Sequence, residues 1–190
     1  MVSSLPLTQR GGDVLFKFWA VQIKLQLSLE LYCPIMPLHF KTLFQCPEFS
    51  RTIVHWWSSV WADRMGSDLE KFERQLVGSM SEDKLPLLLI AFEGSTPIGT
   101  AALKLQELEE VYPNCQYWLG SVFVAEEFRG NGYAAQLSRE IISNAKQRGL
   151  PHLYLQTSSL DGGLYAGLGW QPVQQFLHKN EATLLMLQKF

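Results

Sequence analysis

The stretch 121–135, SVFVAEEFRGNGYAA, constrains this chain more than any other. β-forming residues Ser121 to Val124 run into a turn holding Arg129, Gly130 and Gly132, and an apolar-periodic helix begins at Tyr133. The first turn of a helix carries four unpaired N–H groups and a partial positive charge. Glycines let a ligand approach the backbone closely. Arg129 adds a permanent charge with a fork of donors. Strand, glycine turn and helix together predict an anion site suited to a pyrophosphate.

Two nucleotide-binding patterns compete for these residues. Gly130, Gly132 and Ala135 satisfy the loose dinucleotide spacing G-x-G-x-x-A. That spacing calls for an acidic residue about 20 positions on, to hold a ribose. Residues 141–160 contain no Asp or Glu, which excludes it. The phosphate loop G-K-[ST] is absent, as are the hydrolase G-x-S-x-G and the zinc-binding H-E-x-x-H.

The rest of the chain reads as one α/β (α+β) domain. Polar and apolar residues alternate over 21–31, which predicts a strand ended by Pro34 and Pro37. Helical periodicity follows over 47–62 through Phe49, Ile53, Trp56, Trp57, Val60 and Trp61. A second helix is expected over 67–79, with Ser67 and Glu70 as a capping box. Strands over 87–92 and 97–105 flank a tight turn and predict a hairpin. A polar loop over 106–115 leads to a strand over 117–124. The amphipathic helix 133–147 places Leu137, Ile141, Ile142 and Ala145 on one face. A strand over 153–156, a short helix over 161–168 and strands over 170–177 and 182–187 complete the order. The expected sheet is mixed and mostly antiparallel. The domain is taken as 21–190, with 1–20 a variable N-terminal extension.

Composition narrows the function. The 190 residues are 47% hydrophobic and 18% charged, enough to bury a core. The net charge of −2 offers no basic excess for a nucleic acid. Cys33, Cys46 and Cys115 are odd in number and widely spaced, so no disulfide framework or metal site is expected, and a cytoplasmic setting fits. The longest apolar run, 85–92, is too short to span a membrane.

Residues 128–134, FRGNGYA, resemble the R/Q-x-x-G-x-G/A signature of the GNAT superfamily of acetyl-CoA-dependent N-acetyltransferases. Residues 164–170, LYAGLGW, are similar to its L-Y-x-x-L-G-F/W block, at the family's usual separation. The resemblance is specific over 85–176. It implies a GNAT-type sheet with a splayed strand pair holding acetyl-CoA, a bulge on the first strand parting it from the next parallel strand. Arg129, Gly130, Asn131, Gly132, Tyr133 and Ala134 would hold the pyrophosphate. Val122, Phe123 and Val124 would pair with the pantetheine arm, and Tyr165 would protonate the departing thiolate. Many members carry Asn seven residues before that tyrosine; here the position is Ser158.

The reaction implied is direct acetyl transfer to a primary amine, of a small molecule or of a peptide or protein. Something must take the amine's proton. Residues 117–121 offer no Glu or His, so water guided by a loop carboxylate is expected, with Glu107, Glu109 and Glu110 as candidates. His55 lies on a helix that in this family borders the acceptor site. Trp56, Trp57, Trp61 and Trp118 are candidate walls. A lone histidine or tryptophan on an apolar face is more often core, and a charge run more often a solvated surface. His39, His152 and His178 read as structural or exposed. Cys115 has no His or acid in a motif that would activate it, which favours direct transfer. The rival class is a non-catalytic acyl-CoA sensor of the same fold. No metal is expected, nor a nucleic-acid or membrane partner; a monomer or homodimer fits.

Overall fold

The computed structural model describes residues 38–190. The expected extension 1–20 and the strand over 21–31 lie outside the described residues. The first described strand, β1 (Leu38–Thr42), was not among the expected elements, although Leu-His-Phe-Lys-Thr alternates strictly. Its Leu38, Phe40 and Thr42 are half-buried and the residues between them exposed.

A 3₁₀ turn at Pro47–Phe49 leads into α1 (Ser50–Met65), which buries Ile53, Val54 and Trp57. Trp61 breaks its regularity with φ −133° and ψ 33°. Helix α2 (Leu69–Ser79) starts one residue later than the capping box predicts. The cap is Asp68, whose carboxylate accepts from the Lys71 N–H at 2.8 Å. A carboxylate there also complements the positive helix end.

Strands β2 (Leu87–Glu93) and β3 (Thr96–Lys104) form the expected antiparallel hairpin. Both are buried almost throughout because helices cover both faces. Side chains alternate across a strand. Leu87, Leu89, Ala101 and Leu103 pack with Leu137 and Ile141 of α3 (Tyr133–Gln147). Leu88, Ile90, Phe92 and Ala102 pack with Ile53, Val54 and Trp57.

After β4 (Trp118–Val124) come α3, β5 (His152–Thr157), the short helix α4 (Gly163–Ala166), β6 (Gln171–His178) and β7 (Glu181–Lys189). The seven strands among the described residues lie in the order β1-β2-β3-β4-β5-β7-β6. Every neighbouring pair is antiparallel except β4 with β5. This is the mixed, mostly antiparallel sheet expected from the sequence. None of the described helices is long and apolar enough to cross a membrane.

Candidate active site

Strands β4 and β5 pair at one position, Trp118 with Tyr154, and then part. The Tyr154 N–H donates to the Tyr117 carbonyl at 2.8 Å at the same end. On its other side, β4 carries one residue more than β3 requires. Thr100 lies opposite Phe123 and Ala102 opposite Gly120, so β4 bulges at Ser121 and Val122. Ser121 has φ +51°, a conformation a β-strand does not otherwise use. Its carbonyl turns towards β3 and accepts from the Thr100 hydroxyl at 3.0 Å. That hydroxyl oxygen accepts from the Trp57 indole N–H at 3.1 Å, and Thr100 is fully buried. A trans peptide sets N–H opposite C=O. The Val122 N–H therefore faces away from β3, towards the opening beside β5.

This opening is a cavity of about 610 Å³. Leu119 to Val122 line one side, and Gln156, Thr157 and Ser158 line the other. Tyr165 faces it from α4. The Asp161 carboxylate starts α4 by accepting from the Gly163 N–H at 2.9 Å. Burial pushes the Tyr165 phenol up to about 12. Its ring meets Trp170 edge-on, with centroids 6.3 Å apart.

At the far end of β4 the chain turns through residues 125–132 into α3. Gly130 and Gly132 have φ of +82° and +76°. Gly132 is the helix cap and supplies no side-chain acceptor, so the first-turn N–H groups are left open. A Cβ built on Gly132 would meet no protein atom within 4 Å, so the loop is open above. The Arg129 Nε donates to the Val124 carbonyl at 3.1 Å, and its guanidinium lies 5.9 Å from the Phe123 ring centre. Asn131 donates to the Phe128 carbonyl at 3.1 Å, which braces the turn. The Tyr133 hydroxyl donates to Glu93 at 3.0 Å. That bond holds the phenol protonated and its pKa up.

The acceptor-side candidates separate. Glu107 reaches the bulge: its Oε2 sits 2.6 Å from where a Cβ on Gly120 would lie. It pairs with Lys104 at 2.7 Å. Glu107, Trp57 and Trp61 line a second cavity of about 380 Å³. Trp56 instead stacks on Phe123, with centroids 5.4 Å apart. Trp118 is fully buried core; its indole donates to the Cys115 carbonyl at 2.7 Å. His55, Glu109 and Glu110 are exposed and line neither cavity. His178, read from the sequence as structural or exposed, lines both cavities. So do Arg64 and Lys179, which sequence reasoning missed. Lys179 bonds Asp63 at 2.5 Å, joining the β6–β7 turn to the end of α1. The one available signal was the polar turn His-Lys-Asn-Glu between two strands.

The sequence model of the Acetyltransferase (GNAT) family matches residues 47–169, well over half of the chain. The chain belongs to the GNAT acetyltransferase family. The match extends the family relation through both helices α1 and α2, beyond the two motifs. Solved structures agree on the fold. Aminoglycoside 6'-acetyltransferase type Ii aligns with a TM-score of 0.61 at 16% identity, covering 80% of this chain and 96% of that one. A chain of the NatC complex bound to Gag peptide and CoA gives 0.61 at 18%, covering 82% and 99%. An acetyltransferase from Streptococcus agalactiae gives 0.58 at 12%, covering 80% and 98%. No curated protein matches the sequence. As a GNAT member the chain is an acetyltransferase.

Proposed function

We propose that this GNAT protein moves the acetyl group of acetyl-CoA directly to a primary amine in the opening between β4 and β5. The observation that carries the reading is the parting of these strands after Trp118 and Tyr154, with an open helix end at one side and a half-buried phenol at the other.

The residues fit the co-substrate. Amides of residues 130–134 and the Arg129 fork suit the pyrophosphate. The free edge of Val122, Phe123 and Val124 suits an extended amide-bearing arm, added as a strand would be. Ser158 lines the same cavity at the end of β5. The Val122 N–H faces the region where a thioester oxygen gathers charge, and such a donor is worth ~10²–10³ in rate.

In the transfer, the amine nitrogen bonds the acetyl carbon and the carbon–sulfur bond breaks. Tyr165 supplies a proton to the sulfur, and the amine's proton leaves through water held by Glu107. General acid help of this kind is worth ~10²–10⁴-fold. The dry surroundings that raise the phenol also favour the neutral thiol over the thiolate. Acceptors supported by this reading are small-molecule and peptide amines alike. Release of CoA thiol, followed over a panel of amines and peptide N-termini, tests it. Turnover on one class supports the reading. Acetyl-CoA binding with no turnover on any amine moves the protein to the sensor class.

A further inference from the structure

We propose that the acceptor carries an apolar substituent next to its amine, and that a groove between α2 and strands β2–β3 receives it. The inference rests on the acetyl-transfer reading and names the substrate class for that site.

A third depression of about 340 Å³ runs under α2. Ser121, the bulge residue, lines it and both cavities of the site. Trp57, Phe72, Lys104 and Gln106 are shared between it and the 380 Å³ cavity. Through these shared walls the three make one path that meets at the bulge. An amine nitrogen placed beside Ser121 and Glu107 thus has its substituent within reach of Trp57 and Phe72.

Charge is distributed along this path in a way that selects its occupant. At the reacting end stand Glu107 and Lys104, paired at 2.7 Å, together with Arg64, His178 and Lys179. Beyond them the walls are mainly apolar, from Trp57 and Phe72 to Leu76, Met80, Leu88 and Leu105. Helix α2 supplies one wall of the groove. Phe72 and Leu76 on the helix, with Met80 just past its end, face the core around Trp57, yet no residue of α2 is fully buried. An amphipathic helix normally seals its apolar stripe against the core. Here the stripe is left half-open along the groove. A polar head against Glu107 and an apolar tail along α2 match this arrangement. The exposed acids Glu109 and Glu110 line no part of it, so a polycationic acceptor finds no matching row of charge.

Titration calorimetry on the full chain loaded with CoA tests the proposal, using hexylamine and phenethylamine against ethanolamine and cadaverine. Steady-state thiol release with the same amines and acetyl-CoA is the parallel readout. Burial of a side-chain-sized apolar group predicts a preference of about 10- to 100-fold for the apolar amines. Leu76→Gln and Met80→Gln, at half-buried positions that a folded protein tolerates, should each shrink that preference several-fold. Equal affinities for apolar and polar amines would overturn the proposal. So would a preference that survives both substitutions in proteins with native melting curves, or one seen only after a dimer dissociates, which would assign the groove to a second copy. Failure of acetyl-CoA itself to bind overturns the underlying reading instead, and the same titrations record it.

Discussion

The Thr100 hydroxyl ties Trp57 to Ser121. It accepts from the Trp57 indole at 3.1 Å and donates to the Ser121 carbonyl at 3.0 Å. One buried oxygen on β3 thereby connects α1 to the bulge of β4, and the bulge turns the Val122 N–H into the opening. Thr100→Val keeps the shape and removes both bonds, leaving a buried N–H and a carbonyl without partners. The expected cost is about 1–3 kcal/mol of stability, read by denaturant unfolding. A fall in kcat larger than the change in acetyl-CoA KM should accompany it. Thr100→Ser, which retains the hydroxyl, should recover most of both.

Gly132 sits at φ +76° with open space where a Cβ would go. Gly132→Val meets no protein atom at that Cβ position, so the penalty is backbone strain of about 1–2 kcal/mol. The larger effect falls on the co-substrate, because the side chain stands over the first-turn N–H groups. Acetyl-CoA KM should rise at least ten-fold by thiol-release kinetics. An unchanged KM would remove the anion site from this loop.

Tyr165 stays protonated through the physiological range, since burial pushes its phenol up to about 12. The pH profile of the wild type should therefore rise as the amine loses its proton and show no falling limb below about pH 10. Tyr165→Phe should lower kcat by about 10²-fold, within the range of lost general acid help, with acetyl-CoA affinity little changed. The stability sign follows from the same shift. The folded-state value lies above the ordinary 10.0, so the phenol's contribution is fully present below pH 10 and fades as pH climbs towards 12. Melting curves of wild type and variant should converge differently only in that alkaline window.

The Asp68 carboxylate caps α2, accepting from Lys71 at 2.8 Å. Asp68→Ala should cost about 1 kcal/mol in thermal or denaturant unfolding, whereas Ser67→Ala should cost little.

The elements that depend on nearby residues were legible in the sequence. The apolar spacing of Leu137, Ile141 and Ala145 marks α3 at its observed bounds Tyr133–Gln147. The glycine loop before it was equally clear, because a helix N-terminus after a strand is a local signal. The bulge could be expected only through the family resemblance, since it exists as a register between Thr100 on β3 and Phe123 on β4 that no local residue pattern marks. Among the tryptophans, periodicity could not separate Trp57 at the cavity from Trp56 on Phe123 or Trp118 in the core. Their roles depend on which neighbour each ring meets. Arg64, His178 and Lys179 line the cavities only because the β6–β7 turn folds over the end of α1, joined there by Lys179 and Asp63. Ser67 looked like the cap of α2 because Ser and Asp serve equally in that position.

The most direct measurement is calorimetric titration of the full chain with acetyl-CoA, run beside the Gly132→Val variant. The account predicts one saturable site on the wild type, weakened at least ten-fold in a variant that still melts as a folded protein. Binding of equal strength in both, or no binding to the wild type, would contradict the placement of acetyl-CoA between the α3 loop and the parted strands.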